Sequence, residues 1–119
     1  MKRRLLIFCT LLLSLIGTAA AQSDYYARKA QGYQREAEYY QKKADGYRRE
    51  AEYYLRKAEG YQREAAYYTR KGDTDRAKTN NRWASDAMDR YKTQMRWASE
   101  ANDKAAMYLR WAADALKKQ

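Results

Sequence analysis

Small and aromatic residues recur along this chain at the spacing of a helix seam. Ala stands at 30, 37, 44, 51, 58 and 65, and Tyr at 26, 33, 40, 47, 54, 61 and 68. The interval alternates between four and three, which puts Ala at the a positions and Tyr at the d positions of a heptad. A longer repeat of fourteen residues underlies the seam: 25–38 reads YYARKAQGYQREAE, 39–52 YYQKKADGYRREAE and 53–66 YYLRKAEGYQREAA. The second half repeats at the same length with another motif, RWASDAMDRYKTQM at 82–95, RWASEANDKAAMYL at 96–109 and RWAADALKKQ at 110–119. There the a positions are Ala84, Tyr91, Ala98, Ala105 and Ala112, and the d positions Ala87, Gln94, Ala101, Tyr108 and Ala115. Fourteen residues are two heptads, so the pattern predicts helices that supercoil left-handedly.

Between the halves lies Lys71-Gly72-Asp73-Thr74-Asp75. Gly72 suits the left-handed position after one helix, Asp73 or Thr74 can cap the next, and Asp75 favours that helix's positive end. The stretch Tyr67–Ala77 resembles the inter-helix turn of a tetratricopeptide repeat. The 34-residue period of that family is absent, so the resemblance implies a helix–turn–helix and nothing more. The fold predicted is all-α: a long antiparallel two-helix coiled-coil hairpin with an Ala/Tyr heptad seam, helix one at about 24–71, a turn at about 72–74 and helix two at about 75–118. A turn centred between Gly72 and Asp73 sets Tyr33 against Ala112, Ala37 against Tyr108, Tyr47 against Ala98 and Tyr61 against Ala84, large facing small. Ala51 with Gln94 and Tyr54 with Tyr91 are the exceptions. A loop reaching Asn81 shifts the pairing by one heptad and fits about as well. In the tight-turn register Lys43 lies near Lys104 and Lys57 near Arg90, which is mildly repulsive.

Composition narrows the function. Residues 1–21 read as a secretory signal peptide: basic Lys2-Arg3-Arg4, apolar Leu5–Ile16, and Ala19-Ala20-Ala21 before the cut at Gln22. The formal net charge is +10, with 25 Lys and Arg against 15 Asp and Glu; removing that segment takes three cations, leaving 22 against 15 and a net +7. What remains has no Cys, His, Pro, Phe, Val or Ile. Thiol, disulfide, zinc and imidazole chemistry is excluded, and so is an aliphatic core. The protein is expected to be secreted, at the cell surface or periplasmic, without stable membrane insertion once the signal is removed. No P-loop, GxSxG or HExxH motif occurs, and the carboxylates recur on exposed helix positions with no cleft to separate their pKa values. Asp73-Thr74-Asp75 lacks the remaining ligands of a calcium loop. No enzymatic activity, cofactor, metal or small-molecule substrate is expected.

Two columns exceed what a two-helix seam needs. At position c of helix one Tyr25, Gly32, Tyr39, Gly46, Tyr53, Gly60 and Tyr67 alternate; at position g of helix two stand Trp83, Trp97 and Trp111. Each mid-helix glycine costs about 1 kcal/mol relative to Ala. The expected reason is close approach of an aromatic ring or another backbone. The rings can serve as ordinary cover for the hairpin's side groove, or the columns can form a second seam. On the second reading the protein is structural and tyrosine-rich, a homo-oligomer, filament or surface layer built by self-association. Small scaffolds usually need such support. The alternative is an exported binding module for glycans or polyanions, using the Trp and Tyr columns and the basic stripes at Arg35, Lys42, Arg49, Arg56, Arg63 and Arg70.

Overall fold

In the computed structural model of the chain, two helices, α1 (Lys2–Lys71) and α2 (Thr74–Lys117), form an all-α hairpin. The backbone is described from Lys2 and side chains for residues 21–119, so the side chains of the expected signal segment fall outside the described residues except at its last position. α1 runs upstream of the start expected near residue 24, through Ala21, Gln22 and Ser23, because neither Pro nor Gly stands there to end it. The chain divides into two compact units: Met1–Glu38 with Ala105–Gln119, and Tyr39–Lys104.

Both units are cored by alanine. In the first, Ala30, Ala37, Ala105, Ala112 and Ala115 are buried, and Tyr33 packs against the cluster of Ala30, Ala112 and Ala115. In the second, Ala44, Ala51, Ala58 and Ala65 of α1 are buried, as are Ala77, Ala84, Ala87, Ala98 and Ala101 of α2. No large side chain is fully buried among the described residues. The Tyr side chains at d are half-buried. Small seam residues bring helices toward the short end of the interaxial range of about 8–10 Å. A phenol ring then has no room between them and leans out along the flank.

The turn is as tight as a hairpin allows. Gly72 takes the left-handed conformation (φ 78°). Its N–H donates to the Thr69 carbonyl at 3.1 Å, and the Asp73 N–H donates to the Tyr68 carbonyl at 2.9 Å, the paired closure of a Schellman end. Asp73 also opens α2. Its carbonyl accepts from the Ala77 N–H (3.1 Å), and its Oδ1 accepts from the Arg76 N–H (3.2 Å). One residue thus ends one helix and caps the other. The longer loop to Asn81 is not formed: Asn80 is buried within α2, its Nδ2 donating to the Arg76 carbonyl at 2.9 Å. Of the two registers open to the sequence, the structure has the tight-turn one, with Tyr33 against Ala112.

Gln94 is the flaw in the seam. Its Oε1 is buried with no hydrogen-bond partner, and such an orphaned acceptor costs about 1–3 kcal/mol. Gln94→Leu, close in volume and apolar, is expected to raise the urea midpoint by the equivalent of about 1 kcal/mol. Gly72→Ala forces a Cβ into the left-handed region and is expected to lower stability by about 1–2 kcal/mol in the same titration.

Candidate functional site

The exposed chemistry gathers along the flank where the d tyrosines emerge. Two kinds of layer alternate there. In one, a Tyr of α1 meets a Trp of α2: Tyr47 with Trp97 at 5.7 Å between ring centroids and 60°, and Tyr61 with Trp83 at 5.5 Å and 56°. In the unit that holds the termini, Tyr33 meets Trp111 at 5.6 Å and 63°. These are edge-on or tilted contacts, as the ring quadrupole prefers.

In the other layer a cation lies over the ring. Arg90 covers Tyr54 at 5.7 Å, Lys104 covers Tyr40 at 5.3 Å, and Arg76 covers Tyr68 at 5.5 Å; in the terminal unit Lys118 covers Tyr26 at 5.8 Å. Each of these tyrosines is preceded by another that meets it edge to face at 5.2–5.3 Å. That outer ring carries its own lysine one turn on: Lys29 over Tyr25, Lys43 over Tyr39, Lys57 over Tyr53 and Lys71 over Tyr67, at 5.0–5.6 Å. The repulsion expected between Lys43 and Lys104, and between Lys57 and Arg90, is therefore relieved. The members of each pair sit on different rings of one Tyr–Tyr unit, held by cation–π attraction. A hydrogen bond to the Tyr39 hydroxyl holds the Lys43 ammonium above its ordinary pKa, with further Coulombic help from Tyr39 and Tyr47. Tyr53 does the same for Lys57.

Between successive layers the groove opens into cups. Beside Trp97 a cup of about 300 Å³ is floored by Ala101 and walled by Tyr40 and Tyr47, with Lys43, Glu100 and Lys104 at its rim. The cup beside Trp83 holds about 250 Å³ with Lys57, Asp86 and Arg90 at the rim. In the terminal unit the cup beside Trp111 holds about 270 Å³ with Lys29, Asp114 and Lys118. The lining is the same three times over: two Tyr, one Trp, one Ala, one carboxylate and two cations.

The ten candidate residues thus separate into two sets. Trp83, Trp97 and Trp111 line cups and remain 40–49% exposed. Tyr25, Tyr39, Tyr53 and Tyr67 form an outer column, 45–55% exposed, in alternation with Gly32, Gly46 and Gly60. The close approach expected at these glycines is not made within the chain. A Cβ built on any of the three meets nothing within 4 Å. The Trp rings settle on Tyr33, Tyr47 and Tyr61, one residue further along α1 than the glycines. Sequence reasoning missed the carboxylates Asp86, Glu100 and Asp114 as part of this surface, although their fourteen-residue spacing, three after each Trp, was the signal.

No group of His, Cys, Asp and Glu that could hold a metal occurs among the described residues, and none of their helices is long and apolar enough to cross a membrane. The chain matches no protein-family model, no curated protein and no solved structure.

Tyr39→Phe removes the hydroxyl that raises Lys43, so the Lys43 pKa is expected to move down toward 10.5. An NMR titration of the lysine side chains reads this directly. The linked stability is present below pH 10.5 and lost as pH rises through the raised value, so the variant should melt lower than the parent at neutral pH, with the difference vanishing on the alkaline limb.

Proposed function

We propose that this protein is an exported structural element without catalytic activity that self-associates, through the Tyr/Gly column of α1, into an oligomer, filament or surface layer. The observation that carries the reading is the empty space over Gly32, Gly46 and Gly60. Three mid-helix glycines cost about 3 kcal/mol together relative to Ala. None has a positive φ, and among the described residues nothing beyond their own stretch of helix stands within 4 Å of where a Cβ would be.

A second copy suits that surface because the column is its own complement. Ring and notch alternate every seven residues, about 10.5 Å along a helix, so a ring of one copy can seat on a glycine of another at many points together. Charge runs in phase with shape. Lys29, Lys43 and Lys57 stand four residues after the rings, and Glu36, Glu50 and Glu64 four after the glycines. In a parallel pairing of two such columns offset by seven residues, seating Tyr on Gly also sets Lys level with Glu. Half-exposed rings supply the buried area, and the bare glycines let two backbones approach.

Sedimentation velocity with circular dichroism tests this. The purified protein is expected to form species larger than one chain, and Gly46→Leu to reduce it to single chains of unchanged helicity. Glu50→Lys should weaken assembly, and Glu50→Lys with Lys43→Glu should restore it. Single chains at all concentrations, or assembly untouched by Gly46→Leu, would overturn the reading.

A further inference from the structure

The geometry points to the three Trp-walled cups as binding sites for an acidic polysaccharide, one sugar ring per cup. This goes beyond self-association and uses different residues. Each cup of about 250–300 Å³ is larger than the roughly 150 Å³ that takes a benzene ring, and so admits one substituted six-membered ring. Its wall is the exposed part of a Trp held by a Tyr beneath it, an aromatic platform fixed before any ligand arrives. Its rim mixes one carboxylate with two cations. A carboxylate accepts hydrogen bonds from neighbouring hydroxyls and an ammonium donates to ring and carboxyl oxygens, which is the pattern a polyhydroxylated ring presents. The surplus cation in each cup favours a sugar that carries a negative charge.

Two further observations support a ligand rather than mere packing. The first is what the repeat retains. Across the copies of α2 half of the seam drifts, from Tyr91 to Ala105 and from Gln94 to Tyr108, while Ala84, Ala98 and Ala112 hold as the cups' own Ala does. The cup positions do not drift: Trp at 83, 97 and 111, a carboxylate at 86, 100 and 114, Ala at 87, 101 and 115, and a cation at 90, 104 and 118. The second is that Asp86, Glu100 and Asp114 are engaged in no ion pair among the described residues, where the close pairs are Arg48–Asp45 and Arg76–Asp73. Their oxygens are therefore open to accept from the hydroxyls that a sugar carries and that a phosphate backbone or polyphosphate lacks. The cups beside Trp83 and Trp97 are fourteen residues apart, about 21 Å along a helix, so one extended polymer can occupy both and gain from effective concentration.

Tryptophan emission of the purified protein, titrated with polygalacturonate, amylose, poly-dT and inorganic polyphosphate, tests the inference. Polygalacturonate is expected to shift the emission and to bind more tightly than the other three. Trp97→Ala should weaken that binding about tenfold or more, the scale of one lost ring stack, and Trp97→Phe should recover part of it at the same helicity. Glu100→Gln decides between mechanisms: it weakens binding if the carboxylate holds hydroxyls and strengthens it if attraction to the basic stripes is all there is. No response to polygalacturonate, equal or tighter binding of poly-dT or polyphosphate, or tighter binding by Glu100→Gln would overturn the assignment.

Discussion

Alanine at the helix seam is the constraint from which the rest of this structure follows. Burying methyl groups alone draws the helices close but contributes little apolar area, since each buried carbon is worth about 0.8 kcal/mol. It also leaves no space for the seven d-position tyrosines, which settle half-buried beside the seam in each unit. Everything distinctive about the surface answers to those rings. Tryptophans rest on Tyr33, Tyr47 and Tyr61; cations rest on Tyr26, Tyr40, Tyr54 and Tyr68. In a leucine-based hairpin the d side chains would fill the seam, and the flank beside it would hold ordinary charged residues.

The alternation of Trp and cation along α2 has a second consequence. Each cup lies between a Trp layer and the neighbouring cation layer, lined by the rings of both. Basic residues are placed where ring faces stabilise them, so each of the two cations at a cup's rim has an aromatic ring of its own. Tyr pairs such as Tyr39–Tyr40 make this possible: Lys43 takes the outer ring and Lys104 the inner. The outer rings, having delivered that service, remain exposed beside the glycines.

Much of this was legible in the sequence. The alternating spacing of Ala and Tyr gave the seam, and Gly72-Asp73 gave the turn, because a left-handed glycine followed by a capping aspartate has few other uses. The choice between a tight turn and a loop to Asn81 was not legible, since a shift of one heptad preserves every a and d position. It is decided in the fold by Asp73, which caps α2 as soon as α1 ends. The destination of the cations was also hidden: residue spacing says which charges are near one another, but not that a ring stands between them. The glycines could be recognised as costly from their positions, yet only the fold shows that the space beside them is open rather than filled by Trp. Asp86, Glu100 and Asp114 went unweighed because exposed carboxylates on a helix are ordinary until they share a rim with three aromatic rings.

The central claim is that the bare Tyr/Gly column exists to receive a second copy of the chain. Negative-stain electron microscopy of the purified protein across a concentration series tests it most directly. The account predicts filaments, sheets or uniform particles built from many hairpins, growing in number as concentration rises. Isolated single hairpins at every concentration would contradict it.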